Sequence, residues 1–406
     1  MTIGRLILIA AVLASAGCEQ STWPKRTRLT QSQADALNEI AERQQRANEA
    51  TQGAFQGEAW SLGALPWNAT ILPLLSPDGR WIATSAGTPP SNAARMGLPG
   101  AVPPEGARIE IWEILPGFGG MRLQTTIESP LVLTDAADKE GFLVESLRRD
   151  GSRWIARIDW RSGELTWLVR DDQVNTMPTL GPRGRLAWST RPRDGVSFSL
   201  AFRFADGREF ELPADDEDWL FPMWSPRSTR LSVWRLDSQG VLSLLSINGE
   251  RPDTIKENPR QVLVMVGASR WDAAAATANR TAVQGLASPA VEQVVFYHPT
   301  QQCINVWMPT GINDDRLVSL APGSIDAIYD NRGDFLLTMP KGLHWQSRSD
   351  LRNVVRVDHA PVYARSTTDP MRPFVLLDPG AETVRLRAMR PRRETAEARQ
   401  AAEPAR

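Results

Sequence analysis

Between residues 58 and 389 the apolar positions fall in short runs of Val, Ile, Leu, Trp and Phe, each soon cut by Gly, Asp, Asn or Pro. Runs of that length, punctuated by turn residues, predict strands joined by hairpins. The clearest case is Leu75-Ser76-Pro77-Asp78-Gly79-Arg80-Trp81-Ile82-Ala83. Pro77 presets φ for a turn, Asp78 can bond its own backbone, and Gly79 accepts a positive φ, so the apolar stretches on either side fold back on one another. Weaker copies follow at Gly181-Pro182-Arg183-Gly184-Arg185, Ser225-Pro226-Arg227-Ser228-Thr229-Arg230 and Tyr329-Asp330-Asn331-Arg332-Gly333-Asp334.

A second kind of element alternates with the first, a strand running into its own turn. Instances are Trp154–Trp160 into Arg161-Ser162-Gly163, Leu200–Phe204 into Ala205-Asp206-Gly207, Leu242–Ile247 into Asn248-Gly249, and Ile304–Trp307 into Pro309-Thr310-Gly311. Two hairpins per period make a four-stranded meander, and a recurrence of about 40 to 50 residues is the spacing of a propeller blade. The expected fold is an all-β propeller over 58–389.

The Ser-Pro-Asp-Gly-Arg turn and the later Ile109-Glu110-Ile111-Trp112-Glu113-Ile114 strand resemble the propeller repeats of the Tol-system periplasmic protein and its WD-repeat-like relatives. That resemblance implies the fold and carries over no functional residues. Blade limits of 58–128, 129–173, 174–216, 217–265, 288–322 and 323–389 give six blades, with seven as the alternative. Two stretches break the period. Residues 88–106 are dense in Pro, Gly and Ala; residues 269–288 contain Ala273-Ala274-Ala275-Ala276, too rich in alanine for a strand, and read as a helical insertion or loop. Long loops on one rim commonly carry recognition, so both are candidate recognition elements.

Ahead of the repeats the pattern is different. Arg5, the apolar run Leu6–Leu13 and the small residues Ala14-Ser15-Ala16-Gly17 before Cys18 read as a signal peptide over 1–17. The apolar run is roughly half the ~20 residues a membrane-spanning helix needs. The Ala-Gly-Cys ending resembles the lipobox of bacterial lipoproteins, which implies acylation of Cys18, and Glu19 after it implies outer-membrane sorting. Several acyl chains anchor stably where one is marginal. A polar linker over 18–30 and a short helical spacer over 31–55, free of Pro and with a narrow apolar stripe, would lead to the propeller, and a charged tail over 390–406 reads as disordered.

Composition narrows the chemistry. Lys+Arg 46 against Asp+Glu 47 leaves a net charge of -1, which offers no field to attract nucleic acid. Fifteen Trp against 3 His suit packed sheets better than a histidine-rich active site, and Trp112, Trp188, Trp234 and Trp307 sit at comparable positions in their repeats. His298, His344 and His359 match no metal-ligand spacing, and no Gly-x-Ser-x-Gly elbow or phosphate loop occurs. No catalytic, cofactor-binding or metal residue is assigned. Acidic runs at Asp171-Asp172, Asp215-Asp216-Glu217-Asp218 and Asp314-Asp315 read as solvated turns between blades, and Cys303 as a buried thiol without a disulfide partner. The expectation is a monomeric, lipid-anchored envelope protein that binds a protein or cell-wall partner. The alternative is a propeller hydrolase or lyase whose site is assembled in the channel from several blades.

Overall fold

The computed structural model describes residues 58–390 apart from 70, 92–104, 226–228, 253–259, 279–292, 310–314, 330–333, 348–350, 353, 361 and 368–372. The signal segment, Cys18, the tether, the helix expected over 31–55, Asp314 and the tail after Arg390 lie outside the described residues.

The strands fall into successive antiparallel sets. The first strand, β1 (Glu58–Pro66), stands apart from the sheet that follows it. Blade 1 comprises β2 (Leu74–Leu75), β3 (Trp81–Ala86), β4 (Arg108–Ile114) and β5 (Met121–Glu128); blade 2 comprises β6 (Leu131–Ala137), β7 (Gly141–Leu147), β8 (Arg153–Asp159) and β9 (Leu165–Val169). Blade 3 follows with β10 (Val174–Leu180), β11 (Leu186–Arg191), β12 (Ser199–Arg203) and β13 (Glu209–Leu212). Blade 4 has β14 (Glu217–Trp224), β15 (Arg230–Asp237), β16 (Val241–Asn248) and β17 (Arg260–Val266). A helix, α1 (Arg270–Ala278), precedes blade 5, whose described strands are β18 (Val294–His298), β19 (Cys303–Pro309) and β20 (Asp315–Ser319). Blade 6 holds β21 (Asp326–Tyr329), β22 (Phe335–Met339), β23 (Gly342–Gln346) and β24 (Val354–Asp358). Blade 7 holds β25 (Tyr363–Arg365), β26 (Phe374–Pro379) and β27 (Thr383–Arg390), with β1 as its outer strand.

Packing between the sets closes a ring. Alternate residues of one strand point to opposite neighbours, as a period of two requires. Trp81 and Ala83 of β3 pack with Leu131, Leu133 and Phe142 of blade 2, whereas Ile82 between them packs with Val375, Leu377 and Leu386 of blade 7. Blade 2 meets blade 3 through Leu143, Ile155, Leu186 and Trp188, and blade 3 meets blade 4 through Ala187, Leu200, Val233 and Leu245. Trp234 and Leu244 meet Phe296 and Trp307 of blade 5; Val295 and Val306 meet Phe335 and Leu337 of blade 6; Leu336 and Leu343 meet Phe374 and Leu376 of blade 7. A strand buried on both faces reads as a nearly continuous apolar run, as β26 does, whereas β27 alternates buried Val384, Leu386 and Ala388 with Arg385 and Arg387. Each set lies against the next and the last against the first: a β-propeller.

The described strands group as seven sets, the alternative to six, with β6–β13 joined into one eight-stranded sheet by a parallel pair, Val174↔Arg153, between β10 and β8. The stretch taken as one blade over 323–389 divides between β21–β24 and β25–β27, and β1, assigned to the first blade, pairs antiparallel with β27 from Glu58↔Arg390 to Pro66↔Thr383. Arg390, assigned to the tail, is the last residue of that strand. Closing the ring with a strand from the other end of the repeat region removes two exposed edges at once.

The turn at Ser76 behaves as its sequence predicts. The Ser76 hydroxyl donates to Asp78 Oδ1 (2.6 Å) and accepts the Trp81 amide (2.9 Å), while Gly79 stands at φ 68. Gly181 replaces the serine in blade 3 for a packing reason. A Cβ there would lie 2.7 Å from Trp224 Cδ2, and one on Gly249 would lie 2.1 Å from Trp224 Cη2, so both glycines make room for that indole. These first-to-second strand turns define one face. Loops from second to third strands, and from the fourth strand to the next blade, emerge on the other, here termed the loop face.

Candidate functional site

Both period-breaking stretches leave the blades on the loop face. The first departs after Ala86 and returns before Arg108, and its neck is narrow: a Cβ on Gly87 (φ 78) would lie 2.0 Å from the Gly106 carbonyl oxygen. The second begins after β17 and, as its alanines predict, forms a helix. Ser269 caps α1 with a reciprocal pair of bonds, its amide donating to Asp272 Oδ2 (2.7 Å) and its hydroxyl accepting the Asp272 amide (3.4 Å). The helix packs on β18 and β15, with Ala273 buried among Trp234, Phe296 and Trp307.

Arg270, the first residue of α1, ties three elements together. Its Nε donates to Asp218 Oδ2 (2.7 Å), its Nη2 to Asp218 Oδ1 (2.9 Å) and also to the Val196 carbonyl in the loop between β11 and β12. Asp218 in turn accepts the Phe198 amide (2.8 Å), and the Phe198 ring lies beneath the guanidinium groups of Arg191 (5.2 Å) and Arg270 (5.7 Å). Asp218 is therefore a buried, bidentate ion-pair partner, not the solvated turn residue its acidic neighbours suggested. Arg191 donates to the carbonyls of Pro192, Arg193 and Gly195. Burial, together with the charges of Arg153 and Arg270, pushes it down to about 10.

On either side of Arg270 apolar side chains face solvent. Val196 is 67% exposed, Trp271 50% and Val266, at the end of β17, 68%. Isolated exposed hydrophobics need no explanation, but here three large ones flank a single buried ion pair beside the second insertion.

A polar seam joins blades 2 and 3. Glu145 on β7, buried, accepts Arg153 Nη1 (2.7 Å), the Thr176 hydroxyl (2.9 Å) and the Met177 amide (2.7 Å). Met177 stands at φ 54 immediately before Pro178, and Phe221 at φ 49 before Pro222, both at register breaks in innermost strands. The Phe221 amide donates to Met177 Sδ (3.4 Å), which couples the two bulges.

The innermost strands bring a different set of charges together. Arg365 on β25 donates from Nε to the Pro73 carbonyl (3.2 Å) and is buried, which pulls its guanidinium below the ordinary range; Asp326 on β21 and Asp135 on β6 pull it back. Tyr363 beside it is pushed up by burial and by the Asp326 charge. Blades 2, 6 and 7 thus contribute to one electrostatic neighbourhood.

The residues singled out by sequence are dispersed. The His298 ring accepts the Gln301 amide (3.3 Å), the His344 ring lies 3.1 Å from the Gly342 carbonyl, and the His359 ring meets Arg356 (3.2 Å). Cys303 is buried between Gln301 and Asn305. Asp171 Oδ1 accepts the Gln173 amide (2.9 Å) and Asn175 Nδ2 (2.7 Å) as a turn acceptor. Trp188, Trp234 and Trp307 are buried between blades, and Trp112 is half-buried. Among the described residues no group of three His, Cys, Asp or Glu side chains could hold a metal ion, and no helix is long and apolar enough to cross a membrane. Sequence reasoning missed Arg270, Asp218, Arg191 and Arg365, which converge from different blades and leave no local motif.

No protein-family model matches the chain, and no curated protein matches it. Among solved structures the chain is similar to TolB from Acinetobacter baumannii, at 21% identity over 48% of this chain and 43% of that one with a TM-score of 0.32. It is similar to the WD40 domain of Toxoplasma gondii coronin at 11% identity, covering 84% and 87% with a TM-score of 0.47. An oligogalacturonate lyase in complex with manganese matches at 11% identity, covering 83% and 98% with a TM-score of 0.45. The chain spans less than half the length of the TolB chain it matches. The architecture rests on the strand pairing and the ring of packed blades, not on these likenesses.

Proposed function

We propose that this chain is a lipid-anchored envelope lipoprotein, sorted to the outer membrane and facing the periplasm, whose propeller serves as a binding or assembly module for a protein or cell-wall partner. The observation that carries the binding role is the exposed group Val196, Val266 and Trp271 around Arg270, on the face from which both insertions leave the blades. Trp and Arg together are the side chains that contribute most to interface energy when buried by a partner. The anchoring rests on Ala16-Gly17-Cys18 after a short apolar run, and the sorting on Glu19.

The test is site-directed photocrosslinking in the native host, with the probe at position 271 and a control probe at Arg183 on the opposite face. A discrete adduct from 271 alone supports the module; identical patterns from both positions overturn it. Mass spectrometry of the mature protein tests the anchor, and an unmodified Cys18 or cleavage elsewhere would remove it.

A channel hydrolase or lyase is the second reading, favoured by the meeting of Asp135, Asp326 and Arg365 from three blades. It requires that Asp326→Asn abolish a turnover that Trp271→Ala leaves intact.

A further inference from the structure

The surface around α1 has a charge pattern as well as an apolar one. Arg270 is neutralised by Asp218, Arg193 lies 3.9 Å from Asp150, Arg235 lies 3.5 Å from Glu217, and Arg191 is buried and donates to three carbonyls, so these cations among the described residues are already committed. Two carboxylates are not. Asp194, two residues before Val196, and Asp216, two residues before Asp218, are exposed, and neither carboxylate has a hydrogen bond or ion pair among the described residues. They belong to the same two segments that Arg270 clamps to α1. Exposed Val196 and Trp271 are thus bordered by unpaired negative charge and by no unpaired positive charge from those segments.

The geometry points to a docking surface for a cationic, apolar protein segment. Its aliphatic or aromatic side chains would cover Val196, Val266 and Trp271, and its Lys or Arg side chains would meet Asp194 and Asp216. Apolar burial supplies the affinity and the flanking charges the orientation and the rate of encounter, so binding should weaken with salt. This inference rests on the binding-module reading and specifies the chemistry of the partner.

The clamp is what makes the surface usable. Three elements distant in sequence, the loop between β11 and β12, the start of β14 and the first turn of α1, are held together by the bidentate Arg270–Asp218 ion pair and by the hydrogen bonds that the Val196 carbonyl and the Phe198 amide make to it, so the surface is formed before a partner arrives and little ordering cost remains. An apolar patch on separate loops would have to pay that cost at binding.

The experiment measures fluorescence anisotropy with the purified full chain and three labelled 12-residue peptides: one with lysine and leucine at helical spacing, one with glutamate for every lysine, and one with glycine for every leucine. The Lys/Leu peptide is expected to bind at least 10-fold more tightly than either control, with affinity falling between low and physiological salt. Trp271→Ala and the double variant Asp194→Lys, Asp216→Lys are each expected to weaken it about 10-fold or more. Both sets of side chains are exposed and the two carboxylates are unpaired, so the variants keep the fold; unchanged thermal unfolding verifies this. Equal binding of the Lys and Glu peptides, or binding unaffected by both variants, overturns the proposal. If photocrosslinking from position 271 nevertheless captures a discrete partner, the module stands and only the chemistry assigned to its partner fails.

Discussion

Replacing Glu145 with Gln leaves a deeply buried cation without its counter-charge. Arg153 is buried and its Nη1 donates to Glu145 at 2.7 Å, while its Nη2 has no partner among the described residues. Burial lowers the Arg153 guanidinium below its usual range and Glu145 raises it again, so the carboxylate is the main compensation for that charge. Glutamine keeps the volume and an acceptor for the Met177 amide but turns its NH2 toward the Arg153 guanidinium, so the loss combines the missing charge with an opposed pair of donors, and breaking a buried pair from one side costs about 3–5 kcal/mol. In a propeller of about 300 residues, at about 2 cal/mol/K per residue, that lowers Tm by about 5–8 °C. The double variant Glu145→Leu, Arg153→Met removes both charges and leaves orphaned the Thr176 hydroxyl and the Met177 amide, for about 1–3 kcal/mol. Scanning calorimetry of the three proteins is the assay. The reasoning is refuted if the single variant loses under about 1 kcal/mol, or if the double variant is less stable than the single.

Further outcomes follow from other sites. Gly249→Ala should destabilise by about 1–3 kcal/mol through collision with Trp224, and Trp224→Leu should relieve part of that cost; chemical denaturation of the set checks it. Asp218→Asn should loosen the clamp, raising hydrogen exchange at the Phe198 amide and in the first turn of α1 while leaving β22 unchanged. His298 and His344 are lowered from 6.5 by burial, so the unfolded chain takes up protons first. Their contribution to stability is complete above about pH 6.5 and declines as pH falls toward the depressed native values; Tm measured from pH 8 to 5 should drop, and the double variant His298→Gln, His344→Gln should flatten that drop.

The repeat was legible because each hairpin is set by local chemistry. The Ser76 turn, the strands β8, β12, β16 and β19, and the helix at the alanine run all fall where sequence patterns put them. The blade count was not. Blade 7 begins with a three-residue inner strand and ends with a strand donated from residues 58–66, so neither of its boundaries carries the turn motif. The acidic run at 215–218 was read as uniform, yet Asp218 is separated from its neighbours by a partner 52 residues away.

The sequence by itself determined the strands, their turns and the two interruptions of the period, because φ preferences and a two-residue apolar alternation act over a few residues. Only the tertiary structure decided which charges meet. Ring closure brings β1 to β27, and inter-blade packing brings Arg270 to Asp218 and sets Arg365 in the field of Asp326 and Asp135. Such encounters depend on distances between blades, and a one-dimensional spacing does not encode them.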